Sequence, residues 1–249
     1  MPIITQFVPP DPAISDFVDS FWSLTNTDEV DKEIVLVPDG RIDLFLSYTP
    51  REGFQTTLLG ISTLPEKTTL VAGTEIFAIS FRLPAVEYIL QQSVAPLINH
   101  GQQLPPGYWD FNLQDLHDFD TFYDKAARAI LKRIPLNPDH RKLTLFRELY
   151  TANGSHSVST LSEKASWSSR QINRYFQGRF GLSLKAYCGI LRFRAAFNDI
   201  KQGKLFPDGS FADQAHFIRE TKKLAGVIPK VLHRNENDRF IQFSTLPEK

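Results

Sequence analysis

The sequence predicts an α+β protein: an N-terminal antiparallel β-rich barrel or sandwich with flanking helices, followed by an all-α domain. In the first half, short apolar runs alternate with turn residues, which is typical of antiparallel strands. In the second half, apolar residues recur every three to four positions, as in amphipathic helices. Charge divides in the same way, because residues 150–234 contain 14 Lys and Arg against 5 Asp and Glu, whereas residues 1–149 contain 12 against 20.

The domain boundaries follow from these patterns, and a chain of 249 residues is long enough for two domains. We assign 1–135 to a β-rich sensor or interaction domain and 136–156 to a linker helix. The helical domain then covers 157–234, and 235–249 form a C-terminal tail. A basic half joined to an acidic half indicates a nucleic-acid-binding domain beside a domain that DNA repels. A merely solvated basic surface is the alternative.

The predicted strands follow one another along the first half of the chain. Residues 14–22 fit either a short helix or a strand. Residues 34–37 and 42–46 read as a hairpin whose turn is Pro38-Asp39-Gly40. Further strands are predicted at 55–59, 68–72 and 76–83.

Three helices are predicted before the basic domain. Pro84 opens a short one at 85–90, and 119–134 is strongly amphipathic. Asp139 can cap a helix at 140–152, which Asn153-Gly154 would stop. We expect the apolar stripe of this last helix to dock against the helical domain. A dimer surface on either of the two longer helices is the less favoured alternative.

Residues 165–176 have the pattern of a helix-turn-helix motif, with a small residue, a Ser-rich turn and a polar helix with an apolar back. Ser168 can cap the second helix, and Ile172, Phe176 and Phe180 share one buried stripe. The other face carries Arg170, Arg174 and Gln177, flanked by Gln171 and Asn173. Arg can bond guanine through two hydrogen bonds, and Gln or Asn can bond adenine in the same way. A solvated helix face is an equally good interpretation of this helix alone.

A repeat favours the DNA-binding interpretation. Arg174, Gly181 and Lys185 reappear 45 positions later as Arg219, Gly226 and Lys230, and the capping Ser168 reappears as Asp213. Between the two units, 184–200 is predicted to form one long helix. Two units on one linking helix could enter two successive segments of the major groove.

These residues make the chain from about 157 to 232 resemble the DNA-binding domain of AraC/XylS-type transcription regulators. The resemblance is carried by SRQINRYF at 169–176 with FG at 180–181, and by DQAHFIRE at 213–220 with Gly226 and Pro229. It implies two helix-turn-helix subdomains, with base contacts from the outer face of each second helix. LVPDGRIDL at 36–44 and SFRLP at 80–84 are similar to the N-terminal domain of one AraC-like subgroup, which implies a β-rich domain and names no ligand.

Two departures from the family pattern concern the second unit. The run 204–210, which should contain a scaffold helix, is short and includes the turn signal Pro-Asp-Gly. Thr221 stands where the match to Phe176 calls for an aromatic residue. We therefore expect the first unit to read bases and the second mainly to grip phosphates, which positions a protein on DNA without specifying sequence.

The predicted contacts form three sets. DNA-binding residues of the first unit are Ser169, Arg170, Gln171, Asn173, Arg174 and Gln177. Those of the second unit are Gln214, His216, Arg219 and Lys222. Further phosphate contacts are expected from Lys185, Arg192, Lys223 and Lys230.

Other classes of protein receive little support from the sequence. The six His are scattered without metal-ligand spacing, and Cys188, the single cysteine, fits a packed position in a helix. Asp39 and Asp43 are the closest candidate acid pair, but Asp is ordinary at a turn. We predict no enzyme, metal or cofactor, and no membrane span or leader, which indicates a cytoplasmic protein.

The expected partner is double-stranded DNA. An unknown small-molecule effector, a homodimer and the transcription machinery are open additions to that partner. A protein-interaction or small-molecule-binding module with a degenerate DNA-binding domain is the alternative function.

Overall fold

A computed structural model describes residues 3–204, 206 and 211–244. It confirms the predicted fold class, since an antiparallel β region precedes a helical region. The eight strands are β1 (Ile3–Val8), β2 (Val18–Asn26), β3 (Lys32–Leu36), β4 (Ile42–Thr49), β5 (Gly53–Leu59), β6 (Glu66–Leu70), β7 (Glu75–Phe81) and β8 (Gly101–Gln103). Six of them form one sheet in the order β1-β2-β7-β4-β5-β8, and β3 and β6 form a second, two-stranded sheet.

The predicted hairpin between β3 and β4 is wrong. Val35 N–H donates to the carbonyl of Arg239 at 2.6 Å, and Val37 N–H donates to Gln242 Oε1 at 3.1 Å. One side of β3 therefore pairs with β6, while the other contacts the C-terminal segment. β4 pairs instead with β5 and β7.

The other strand predictions hold with small changes in their bounds. The segment 14–22, left open between helix and strand, enters β2 after a single 3₁₀ turn at Pro12–Ile14. The strands predicted at 55–59, 68–72 and 76–83 correspond to β5, β6 and β7. Inward side chains of the six-stranded sheet, including Leu44 of β4, Leu58 of β5 and Ile79 of β7, are fully buried.

The helices follow in chain order. They are α1 (Pro84–Tyr88), α2 (Phe119–Leu131), α3 (His140–Thr151), α4 (Val158–Lys164), α5 (Ser169–Phe180), α6 (Leu184–Ala195), α7 (Phe197–Lys201), α8 (Gln214–Ala225), α9 (Pro229–Arg234) and α10 (Ile241–Ser244). The caps predicted for α3 and α5 are present, because Asp139 accepts from Arg141 N–H and Ser168 accepts from Gln171 N–H.

The single long helix predicted at 184–200 is wrong, because Ala196 separates α6 from α7 with ψ near −6°. The break lets Phe197 stack near Phe243 of α10, with ring centroids 4.6 Å apart. Phe193 also lies edge-on to Phe197 at 4.9 Å. The C-terminal tail predicted at 235–249 is thus packed at least as far as α10, and 245–249 lie outside the described residues.

One continuous cluster of buried apolar side chains joins the six-stranded sheet, α2, α3 and the later helices. A second, smaller cluster of Leu24, Ile34, Leu70 and Ile241 lies between the two sheets and α10. Phe146 of α3 is central to it, with its ring 5.9 Å from Phe176 and 6.0 Å from Phe180 of α5. This confirms that α3 docks against the helical region, at α5. The boundaries drawn at 135 and 156 remain a prediction.

Candidate nucleic-acid interface

α5 presents the outer face that the sequence predicts. Ile172, Phe176 and Phe180 are buried, whereas Arg170 and Arg174 are exposed, as are Gln171 and Gln177 on the same side of the helix. The helix ends at Gly181, whose φ of +76° is the left-handed conformation that favours glycine. A Cβ there would come within 2.6 Å of Ile98, so the N-terminal region also approaches this helix end closely.

Two polar residues of the predicted set have bonds within the protein. The Asn173 amide donates to the carbonyl of Ser169 at 3.0 Å and accepts from Leu184 N–H at 3.4 Å. Gln171 completes a capping box, because its Oε1 accepts from the N–H and the hydroxyl of Ser168. The structure thus gives Asn173 a role in tying α5 to α6. Within the described part of the chain, the side chains of Arg170, Arg174 and Gln177 on this face have no hydrogen-bond partner.

α8 repeats the same local construction. Asp213 accepts from His216 N–H at its start, and Gly226 ends it with a φ of +73°. Gln214, Arg219, Lys222 and Lys223 are exposed. His216 is half-buried. Its Nδ1 accepts from Ala212 N–H at 3.4 Å, and its ring lies edge-on to Phe211.

Thr221, the position where the sequence departs from the family pattern, lies on the buried face of α8. Its side chain is fully buried, and its hydroxyl has no hydrogen-bond partner within the described ranges. An unpaired buried hydroxyl costs free energy that an aromatic or aliphatic residue would not. Of the shortened run at 204–210, positions 205 and 207–210 lie outside the described residues.

Of the cations predicted to contact phosphates, the described structure leaves some exposed to solvent and hydrogen-bonds Arg192 within the protein. Lys185 and Lys230 are exposed at equivalent positions in the helices that follow α5 and α8. Arg192 is half-buried and donates to the carbonyl of Gly154 at 2.7 Å. That bond ties the loop between α3 and α4 to α6, so the structure gives Arg192 a structural partner that sequence spacing does not reveal.

Side chains of the N-terminal region reach the flank of α5. Glu87 of α1 accepts from the Lys142 ammonium at 2.6 Å and from the Tyr175 hydroxyl at 2.8 Å. Burial, and then the charge of Glu87, raise the pKa of Tyr175, so that its hydroxyl stays protonated and donates. The Ser93 hydroxyl also donates to the carbonyl of Gly178 at 2.8 Å.

An open groove of about 380 Å³ runs along this flank. Its lining residues are Lys142, Trp167, Gln171, Arg174, Tyr175, Gly178 and Arg179. The groove therefore brings together two of the predicted base-reading side chains, two aromatic rings and further cations. Trp167, Tyr175 and Lys142 are absent from the sequence-predicted set. Lys142 belongs to α3, and its proximity to Arg174 depends on how α3 and α5 pack.

A second polar cluster joins the sheet to α6. Asp19 of β2 accepts from Arg41 at 2.8 Å, from Arg82 at 3.5 Å and from Arg194 at 2.7 Å. Only 3% of the Arg41 side chain is exposed, and its Nε and Nη1 have no hydrogen-bond partner among the described residues. The Tyr187 hydroxyl of α6 donates to the carbonyl of Gly40 at 3.0 Å.

The acid pair singled out in the sequence lies beside this cluster. Burial, and then the charge of Asp39, raise the pKa of Asp43 to about 7, although a hydrogen bond from Ser80 opposes the shift. Burial also raises the pKa of Asp39, against the charge of Arg41. Both acids are half-buried and feel the charge of Arg41, and so belong to the junction between sheet and helices.

Two further kinds of site are absent from the described part of the chain. No group of three or more His, Cys, Asp or Glu there could hold a metal ion. None of the helices described is long and apolar enough to cross a membrane.

Comparison with known proteins gives one sequence family. Residues 6–103 match the model of a domain of unknown function, DUF6597, and this range includes LVPDGRIDL at 36–44 and SFRLP at 80–84. No curated protein matches the chain.

Among solved structures, the chain is similar to ToxT from Vibrio cholerae. One ToxT structure has 11% sequence identity, with 92% of this chain and 97% of that chain covered and a TM-score of 0.41. ToxT bound to an unsaturated fatty acid has 11% identity, with 99% and 97% covered and a TM-score of 0.41. ToxT bound to a methylnaphthalenyl butenoic acid has 10% identity, with 92% and 97% covered and a TM-score of 0.40.

Proposed function

We propose that the protein is a sequence-specific DNA-binding transcription regulator whose first helix-turn-helix unit reads bases through α5. The observation that carries this proposal is the exposed, acid-free face of α5, where Arg170, Arg174 and Gln177 stand opposite a buried apolar stripe. The two arginines would favour guanines, and Gln177 would favour adenine. Gln171 would cap the start of α5 instead. Asn173 would position α5 from within the protein.

α8 supports a second contact with the same duplex. Its exposed Arg219, Lys222 and Lys223 suit phosphate oxygens, as do the exposed Lys185 and Lys230. Gln214 remains the candidate base reader of this unit, with His216 at its edge. Neutralising several phosphates releases counterions, so affinity should fall steeply with salt.

The N-terminal region would bind an effector or a second protomer and bias the DNA affinity. Its contacts with α5 and α6, through Glu87 and Asp19, provide a physical route for such a bias. Acting in the cytoplasm on DNA, the protein would need neither a metal nor a catalytic group for this task.

Selection from a random duplex library tests the proposal, with wild type, Arg170→Ala, Arg174→Ala and Lys222→Ala compared. The arginine variants should each lose preference at one base position of the enriched motif. Lys222→Ala should weaken binding to all sequences alike and lower the salt slope by about 0.9. No motif with the wild type at moderate salt, or equal sequence-independent losses from all three variants, contradicts base reading. A ligand-induced thermal shift without DNA retention would then favour the alternative binding module.

A further inference from the structure

The carboxylate of Glu87 joins three helices at the flank of α5. One oxygen accepts from Lys142 of α3 at 2.6 Å, and the other accepts from the Tyr175 hydroxyl of α5 at 2.8 Å. The Glu87 and Lys142 side chains are only 21% and 18% exposed. Hydrogen bonds to a charged carboxylate that is partly buried are stronger than hydrogen bonds between neutral groups.

Tyr175 is the residue through which this carboxylate acts on α5. The Lys142 ammonium lies 5.1 Å from the centroid of its ring, and the Trp167 ring lies 5.2 Å from it on the same flank. The ring of Tyr175 also contacts Phe180 at 5.4 Å. With its ring enclosed and its hydroxyl held, Tyr175 fixes the rotation of α5 about its own axis.

The fixed rotation matters for the neighbouring side chains on the outer face. Tyr175 directly follows Arg174, and both line the groove that also contains Gln171. A bidentate contact with a base edge tolerates errors of only about 0.5 Å or 10–20°. A change in the rotation of α5 would therefore move Arg174 out of the plane of its base.

We infer that Glu87 is a positioning residue for base reading by α5: it holds Tyr175 and Lys142 so that Arg174 meets the DNA in register. The inference rests on the proposed function. Glu87 itself would touch no DNA, and it also neutralises the charge of Lys142 beside the duplex.

Three variants separate positioning from charge. Tyr175→Phe removes only the hydroxyl that Glu87 holds, and Glu87→Gln also unmasks the charge of Lys142. Glu148→Gln is the matched control, because Glu148 of α3 forms an ion pair with Lys164 at 3.0 Å and approaches His156 at 3.5 Å, and neither of these partners bonds to Tyr175 among the described residues. Thermal unfolding of each variant establishes that it is folded before its DNA preference is measured.

In the duplex selection, Glu87→Gln and Tyr175→Phe should both reduce discrimination at the base position that Arg174→Ala identifies, by about three- to tenfold, a part of what a bidentate contact supplies. Glu87→Gln should also steepen the salt slope by about 0.9, since one more cation becomes available to phosphate. Glu148→Gln should steepen the slope through Lys164 and leave discrimination unchanged.

Wild-type discrimination in a folded Tyr175→Phe, or equal losses of discrimination in Glu87→Gln and Glu148→Gln, would overturn the positioning role while leaving the proposed function intact. Failure of the wild type to enrich any motif overturns both the positioning role of Glu87 and the proposed function. If Glu87→Gln does not fold, Tyr175→Phe alone decides the question, because it keeps the ring and its packing.

Discussion

Asp19 and Arg194 lie 175 positions apart in the chain, and the Arg194 guanidinium donates a 2.7 Å hydrogen bond to the Asp19 carboxylate. The same carboxylate also accepts from the buried Arg41. One acid of the N-terminal sheet thus holds α6, the helix that lies between the two units proposed to bind DNA. We therefore expect the bonds of Asp19 with Arg41 and Arg194 to contribute both to the free energy of unfolding and to the position of α6.

Asp19→Asn should destabilise the fold by about 3–5 kcal/mol, because it leaves the Arg41 charge buried without its counterion. Urea unfolding measures this directly. Asp16→Asn is the control, since it removes an exposed pair with Arg147 and should cost less than about 1 kcal/mol. Similar small losses in the two variants would show that the junction does not depend on Asp19.

Asp43 should make stability depend on pH. Its pKa in the folded protein is raised from 3.8 to about 7, chiefly by burial, so the folded state binds its proton more tightly than the unfolded state does. The resulting stabilisation is fully present below pH 3.8 and is lost as pH rises through about 7, by up to about 1.4 kcal/mol per pH unit. Asp39, whose pKa is also raised, acts in the same direction.

The measurement is urea unfolding of wild type and Asp43→Asn at several values between pH 5 and 8. The asparagine variant should lose less stability over this range, because its amide does not titrate. Comparing the two curves removes the contributions that both proteins share. Curves that fall in parallel would show that Asp43 does not titrate there.

Thr221→Val should stabilise the protein by about 1 kcal/mol, since it removes a buried hydroxyl without a partner and keeps the shape of the side chain. The expected result is a higher Tm in thermal unfolding. Thr221→Ser keeps the hydroxyl and deletes a methyl group, so its Tm should fall. A Tm that drops in the valine variant would mean that the hydroxyl is paired in solution.

Phe146→Ala should cost about 3–5 kcal/mol, because it opens a cavity where α3 meets α5. Amide hydrogen exchange in α5 should accelerate more than exchange in the sheet, since the lost contacts are with Phe176 and Phe180. Leu136→Ala, at a side chain that is 98% exposed, should change neither quantity. Unchanged exchange in α5 would show that its support comes from elsewhere.

Much of the candidate interface could be predicted from residues a few positions apart. The cap at Ser168, the buried stripe from Ile172 to Phe180 and the glycine at 181 each follow from helix geometry, which depends on neighbours within about one turn. The recurrence of the same pattern 45 positions later, from Asp213 to Gly226, is also legible in the chain. So are the strand segments, whose alternation is local.

Other features depended on which elements meet. β3 has the composition of a hairpin strand, yet its free side bonds to Arg239 and Gln242, about 200 positions later. Asn173 and Arg192 have the chemistry of DNA contacts, but packing brings Leu184 N–H to the first and the carbonyl of Gly154 to the second.

The sequence by itself therefore determined the type of each half, the caps and the outward face of α5, because these rest on short-range geometry and side-chain chemistry. Tertiary structure decided the partner of β3, the break at Ala196, and the attachment of α5 and α6 to Glu87 and Asp19. The contacts of β3, Glu87 and Asp19 join residues far apart in the chain. Each of them forms only where the packing of the core brings two surfaces within hydrogen-bond distance.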